Sequence, residues 1–263
     1  MPRVKTATGI AIGYEDAGVG GATPIVFLHG VGSDKSVWRP QLEHFKDQRR
    51  AIAFDYPGYG ESDSAPEDTT RDDYAAVILA AMTELGIERA HVCGLSLGGV
   101  VAIAMDHAWP KRIASLILAD TFAEHPDGKG IFDRSIAAST DLRALAESRV
   151  DVLLAQPADP AVRSEVVETM ARIDPAAYRV GAEAVWLADQ RDRAAAIRAP
   201  TLVLCGAEDR ITPPVLSTAL AKLIPGAQCE TIERAGHISN LERPEEFNTL
   251  VGAFIRGVDS RAA

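Results

Sequence analysis

The segment Gly94-Leu95-Ser96-Leu97-Gly98-Gly99 sets a serine between glycines two positions to either side. An apolar run at 91–93 precedes it, and a helix-patterned stretch at 100–108 follows. Strand, sharp turn and helix in that order are the setting of a nucleophilic hydroxyl. The glycines remove side chains that would collide across the turn, and Gly99 lets the helix approach the sheet. The helix N-terminus adds positive partial charge beside the oxygen. A capping serine in a glycine-rich turn would carry the same letters, but the strand–helix setting favours the nucleophile.

A serine hydroxyl reacts only when a base takes its proton. His237, in Arg234-Ala235-Gly236-His237-Ile238-Ser239-Asn240, sits on a loop after the strand-like residues 229–232 and before the last helix. His91 opens a strand and His107 lies on the helix after Ser96, which reads both as structural. The base needs a carboxylate to orient it. Asp209, in Gly206-Ala207-Glu208-Asp209-Arg210, follows a buried strand, and Pro213-Pro214 beyond it turns the loop outward. Asp120 also ends a strand and competes for the role; Asp209 is preferred. The negative oxygen of an attacked carbonyl needs two backbone N–H groups. Leu97, next to the serine, supplies one, and Val31 in His29-Gly30-Val31-Gly32 is expected to supply the other. His29 is read as bracing that loop.

These residues need a scaffold, and the pattern of the chain supplies one. Apolar runs at 25–28, 51–54, 91–93, 116–118 and 201–205 read as strands buried on both faces. Between them, Tyr74, Val77, Ile78, Ala81, Met82 and Leu85 follow an amphipathic helical period, as do Phe247, Leu250, Val251, Phe254 and Ile255. Alternation of this kind predicts an α/β fold with a mostly parallel sheet. The rhythm breaks after Asp120. Residues 121–193 carry only helical groupings, such as Val162, Val166, Val167 and Met170. They predict a helical lid inserted after the sixth strand, within a core of residues 1–120 and 194–263. Gly18-Val19-Gly20-Gly21 leads into a strand, so a hairpin turn is expected there rather than a phosphate loop.

Composition narrows the partners. The 263 residues carry a net charge of −10, which argues against nucleic acid and offers no general attraction for anions. No secretory signal is read at the N-terminus and no apolar run reaches membrane-spanning length. The three cysteines have no metal-like spacing. A cytoplasmic location is expected, with no cofactor and no metal.

With these landmarks the chain resembles the α/β-hydrolase superfamily over nearly its full length. The segments that carry the resemblance are His29-Gly30, the Asp55-Tyr56-Pro57-Gly58-Tyr59-Gly60-Glu61-Ser62 turn, the Ser96 elbow, Gly206 to Pro213, and Gly236-His237. Residues 91–99 with His237-Ile238-Ser239-Asn240-Leu241-Glu242 look like 3-oxoadipate enol-lactonases and related small carboxylesterases, although Asp120 stands where an asparagine is more usual. The resemblance implies hydrolysis of a small ester or lactone through an acyl-enzyme. Cleavage of a carbon–carbon bond in a ring-fission diketone and a receptor role without turnover are the alternatives. It also implies a substrate with a free carboxylate, for which an acidic chain needs a local cation. Arg134, early in the lid near Phe132, is the candidate, and Trp186 is a second substrate-contact candidate.

Overall fold

In a computed structural model that describes residues 2–262, the apolar runs become strands of a single eight-stranded sheet. They are β1 (Arg3–Lys5), β2 (Ala11–Ala17), β3 (Ile25–Leu28), β4 (Ala51–Phe54), β5 (Ala90–Leu95), β6 (Ile113–Ala119), β7 (Thr201–Gly206) and β8 (Gln228–Ile232). Across the sheet the order is β1-β2-β4-β3-β5-β6-β7-β8. All pairs from β4 to β8 are parallel, while β2 runs antiparallel to both β1 and β4. Every residue of β3 to β7 is buried, as near-continuous apolar strands require.

One expectation is corrected. β2 and β3 lie on either side of β4, so the glycine cluster at 18–21 turns a connection that passes β4 and closes no hairpin.

The helices are α1 (Arg39–Phe45), α2 (Arg71–Glu84), α3 (Leu97–Ala108), α4 (Gly128–Ala138), α5 (Leu142–Leu153), α6 (Pro160–Ala171), α7 (Pro175–Trp186), α8 (Arg191–Ala196), α9 (Pro214–Leu223), α10 (Ser239–Glu242) and α11 (Pro244–Ala262). β6 packs against both α3 and α11, and α3 in turn meets α2 and α8. The inserted helices begin with local signals. Asp141, Asp159 and Asp174 each cap a helix N-terminus through the side chain, and proline follows the last two.

From β3 the chain moves to β4 on one side and returns to β5 on the other. A parallel sheet opens a crevice at such a reversal, beyond the carboxyl ends of the two strands. Leu28 pairs with Gly94 there, which brings the loop after β3 beside the turn after β5. Helices α5 to α7, between β6 and β7, supply further walls of that crevice.

Candidate active site

Ser96 occupies the turn between β5 and α3 with φ +54° and ψ −112°, a left-handed conformation that costs a non-glycine residue on the order of 1–3 kcal/mol. Hydrogen bonds hold it there. Its N–H donates to Ala119 O at 2.9 Å, and its carbonyl accepts from Thr121 Oγ1 at 2.8 Å. A side chain at Gly94 would strike the Gly98 backbone, and one at Gly98 would strike Leu28 O. The sequence motif therefore has a steric cause. The Ser96 hydroxyl is buried and has no hydrogen-bond partner among the described residues.

His237 lies on the loop between β8 and α10, and its Nδ1 is 2.8 Å from Asp209 Oδ2. Asp209 is fixed by its own turn. Its Oδ1 accepts from the N–H groups of Ile211 at 2.7 Å and Thr212 at 2.9 Å. The Thr212 hydroxyl donates to Oδ2 at 2.6 Å. Burial opposes charge on both partners. For Asp209, the facing His237 and these hydrogen bonds outweigh burial and lower its pKa. For His237, the Asp209 carboxylate outweighs burial and raises its pKa. With Asp209 accepting at Nδ1, the ring proton resides there and Nε2 is left as the acceptor. No hydrogen bond joins His237 to Ser96, yet both line one cavity.

Asp120 lies elsewhere in the network. Its carboxylate accepts from Gly206 N–H at 2.8 Å and from Ser239 Oγ, and not from His237. A second Ser–His–Asp array exists at the other end of β5. There His91 Nδ1 meets Ser115 Oγ at 2.7 Å and Nε2 meets Asp259 at 3.1 Å. His91 and Ser115 are wholly buried, and Ser115 follows no sharp turn, so that array ties β5, β6 and α11 together. His29 braces its loop: its ring packs 4.6 Å from Tyr56 and 5.0 Å from Tyr59. Asp55 anchors the turn after β4 to the loop after β3 through Lys35 Nζ at 2.6 Å.

The amides of Val31 and Leu97 donate to no protein acceptor among the described residues. Gly30 sits against the elbow, where an added Cβ would come 3.5 Å from Ser96 Cβ.

The cavity holding Ser96 and His237 has about 70 Å³ of free space. Val37, Leu153, Val166, Met170 and Leu241 make it largely apolar. Trp186 lines it too, stacked on Phe122, with Nε1 buried and unpartnered. Arg134 does not line it. That guanidinium is exposed and pairs with Asp127 at 2.7 Å, which corrects its expected position. The arginine on the cavity wall is Arg149, one turn before the end of α5; it bonds Ser135 Oγ at 3.0 Å and makes no ion pair among the described residues. Sequence reading missed Arg149, Glu165 and Thr212. Only Thr212 carried a local signal, three residues past Asp209 in a turn of the Asx kind.

Fold and site together define a class: residues 25–250 match the alpha/beta hydrolase family, and the chain belongs to it. The chain is 29% identical over 241 residues to a 3-oxoadipate enol-lactonase of Acinetobacter baylyi, covering 90% of both. It is 30% identical to a 2-hydroxy-6-oxononadienedioate/2-hydroxy-6-oxononatrienedioate hydrolase of Paraburkholderia phymatum, covering 96% of this chain and 93% of that one. A thermophilic esterase from Thermogutta terrifontis, solved with malate bound, superposes with a TM-score of 0.90 at 30% identity, covering 98% of this chain and all of that one (100%). Among the described residues, no three His, Cys, Asp or Glu side chains converge as a metal site, and no helix is long and apolar enough to cross a membrane.

Proposed function

We propose that this protein hydrolyses a small carboxylic ester or lactone through an acyl-enzyme on Ser96. The observation that carries the reading is the shared cavity, with an unpartnered serine hydroxyl and a histidine fixed by Asp209 on one wall. Ser96 Oγ attacks the carbonyl carbon while His237 Nε2 takes its proton. The carbonyl oxygen, now negative, is held by the Val31 and Leu97 amides. Collapse breaks the acyl–oxygen bond, and the departing alkoxide takes the proton back from His237. Water then attacks the acyl-enzyme with the same proton transfers and frees the acid.

Arg149 supports a substrate whose acyl part carries a free carboxylate. A guanidinium without an ion pair on an apolar wall is suited to bind one through paired hydrogen bonds. Glu165 lines the same cavity and disfavours a second carboxylate beside it. The malate-bound esterase and the enol-lactonase relative agree with this substrate class.

A second reading, hydrolytic carbon–carbon cleavage of a ring-fission diketone, draws on the hydrolase of Paraburkholderia phymatum. Turnover of nitrophenyl acetate, butyrate and octanoate, carboxylated lactones and a ring-fission diketone separates the two. The proposal expects short esters and carboxylated lactones to be cleaved and octanoate to be poor. Turnover of the diketone alone would favour the second reading. No turnover of any would leave only a binding role.

A further inference from the structure

Asp120 follows β6 and is wholly buried, with φ +47°, a conformation that L side chains rarely adopt. Its carboxyl group spans two loops that share no strand. Oδ1 accepts from Gly206 N–H at 2.8 Å, three residues before Asp209. Oδ2 accepts from Ser239 Oγ, two residues after His237. Its own N–H donates to Leu204 O at 2.9 Å, fixing its backbone to β7. One side chain thus joins the strand end that carries the candidate acid to the loop that carries the candidate base.

We propose that Asp120 is a positioning residue, a clamp that holds the Asp209 loop against the His237 loop and so sets the alignment of the two side chains. The proposal rests on reading Ser96, Asp209 and His237 as the reacting set. Four titratable groups face the clamp: Asp209 and His237 from the two loops, Cys93 from β5 and Cys205 from β7. Burial, with the Asp209 charge added, pushes the Asp120 carboxyl up to about 8. Below that pH it is a neutral acid whose O–H on Oδ2 faces the Ser239 hydroxyl, which then accepts, and a neutral amide of the same shape with its N–H there can replace it.

The clamp therefore has a conservative rescue. Asn at 120 keeps an oxygen for Gly206 N–H and offers an N–H to Ser239 Oγ, whereas Ala loses both contacts. Asp120→Ala should lower kcat for nitrophenyl acetate about 10- to 100-fold with little change in KM, since misplacement of a reacting group by about 1 Å costs on that order. Asp120→Asn should stay within about 3-fold of wild type and superpose on its kcat–pH profile below about pH 7. The two profiles should part only above about pH 8, where wild type alone gains a charge. Wild-type kcat in Asp120→Ala would overturn the proposal, as would profiles that separate in the acid range. Should Asp120→Ala fail to fold, Ser239→Ala severs one contact alone; a several-fold loss of kcat supports the clamp, and no loss overturns it. Ser96→Ala, assayed alongside, keeps the two claims apart: an active Ser96→Ala defeats the reading beneath, while an inactive one with an unaffected Asp120→Ala defeats the clamp alone.

Discussion

The backbone N–H of His237 donates to Leu153 O at 2.6 Å, so the candidate base hangs from the last turn of α5. Glu242 strengthens the same seam, accepting from Ala155 N–H at 2.7 Å and Gly236 N–H at 2.8 Å. Arg210, next to Asp209, also reaches this end of α5, donating to Asp151 O at 2.7 Å. The helix that carries Arg149 is therefore bonded to both loops that carry Asp209 and His237. Glu242→Ala removes two acceptors from buried N–H groups and should lower both stability and kcat. A loss of about 1–3 kcal/mol by denaturant unfolding and about tenfold in kcat is expected. Unchanged kcat would mean that the seam does not position the base.

In the proposed mechanism the Asp209–His237 pair sets the pH dependence of turnover. His237 must be neutral at Nε2 to accept the Ser96 proton. Asp209 favours the imidazolium and raises the pKa, so activity falls as pH drops through a midpoint above the ordinary 6.5. The kcat/KM profile for nitrophenyl acetate measures this directly, and a midpoint well below 6.5 would contradict it. Asp209→Asn should cost about 10⁴-fold in kcat, because the amide can donate to Nδ1 and hold the wrong tautomer, and no charge is left to stabilise the imidazolium.

Arg149 and Arg134 make opposite predictions. Arg149→Ala should raise KM for carboxylated lactones about 10- to 100-fold, the worth of a charged hydrogen-bonded pair, and leave neutral short esters nearly unchanged. Arg134→Ala should change neither, since its partner Asp127 is exposed and away from the cavity. Equal loss on neutral and charged substrates in Arg149→Ala would make that residue a packing element of α5.

His91 contributes to acid stability at a distance from the candidate site. Burial outweighs Asp259 and holds the ring at about 4, below its ordinary 6.5. Between those values the unfolded chain binds the extra proton and the folded protein does not. The contribution of His91 is thus complete above pH 6.5 and is lost as pH falls toward 4. Tm measured from pH 7 to 4 should fall less steeply in His91→Gln than in wild type, with kcat at neutral pH kept. Parallel Tm curves would remove His91 from the acid transition.

The sheet and the turn that carries Ser96 were legible because their causes are local. Leu28, Phe54 and Cys93 stand in runs that only a doubly covered strand explains, and the glycines around Ser96 answer to contacts within a few ångströms. β1 and β2 were not anticipated, since edge strands with polar letters such as Arg3, Lys5, Glu15 and Asp16 show no apolar run. The cap was legible only as helical. Asp159-Pro160 and Asp174-Pro175 mark helix starts, but which face of α5 turns to the cavity depends on how α4 to α7 pack together. The sequence therefore points to Arg134, near Phe132, and carries no signal for Arg149. Asp120 reads in sequence as a rival acid because it too ends a strand; its partners, Gly206 and Ser239, lie far along the chain.

The central claim is that Ser96 is the nucleophile, and the turnover of nitrophenyl acetate by purified Ser96→Ala tests it most directly. The substitution removes one buried oxygen that bonds no protein group, so Tm should be within a few degrees of wild type. Turnover should fall by about 10⁴-fold or more. A folded Ser96→Ala protein that keeps near wild-type turnover would contradict the claim.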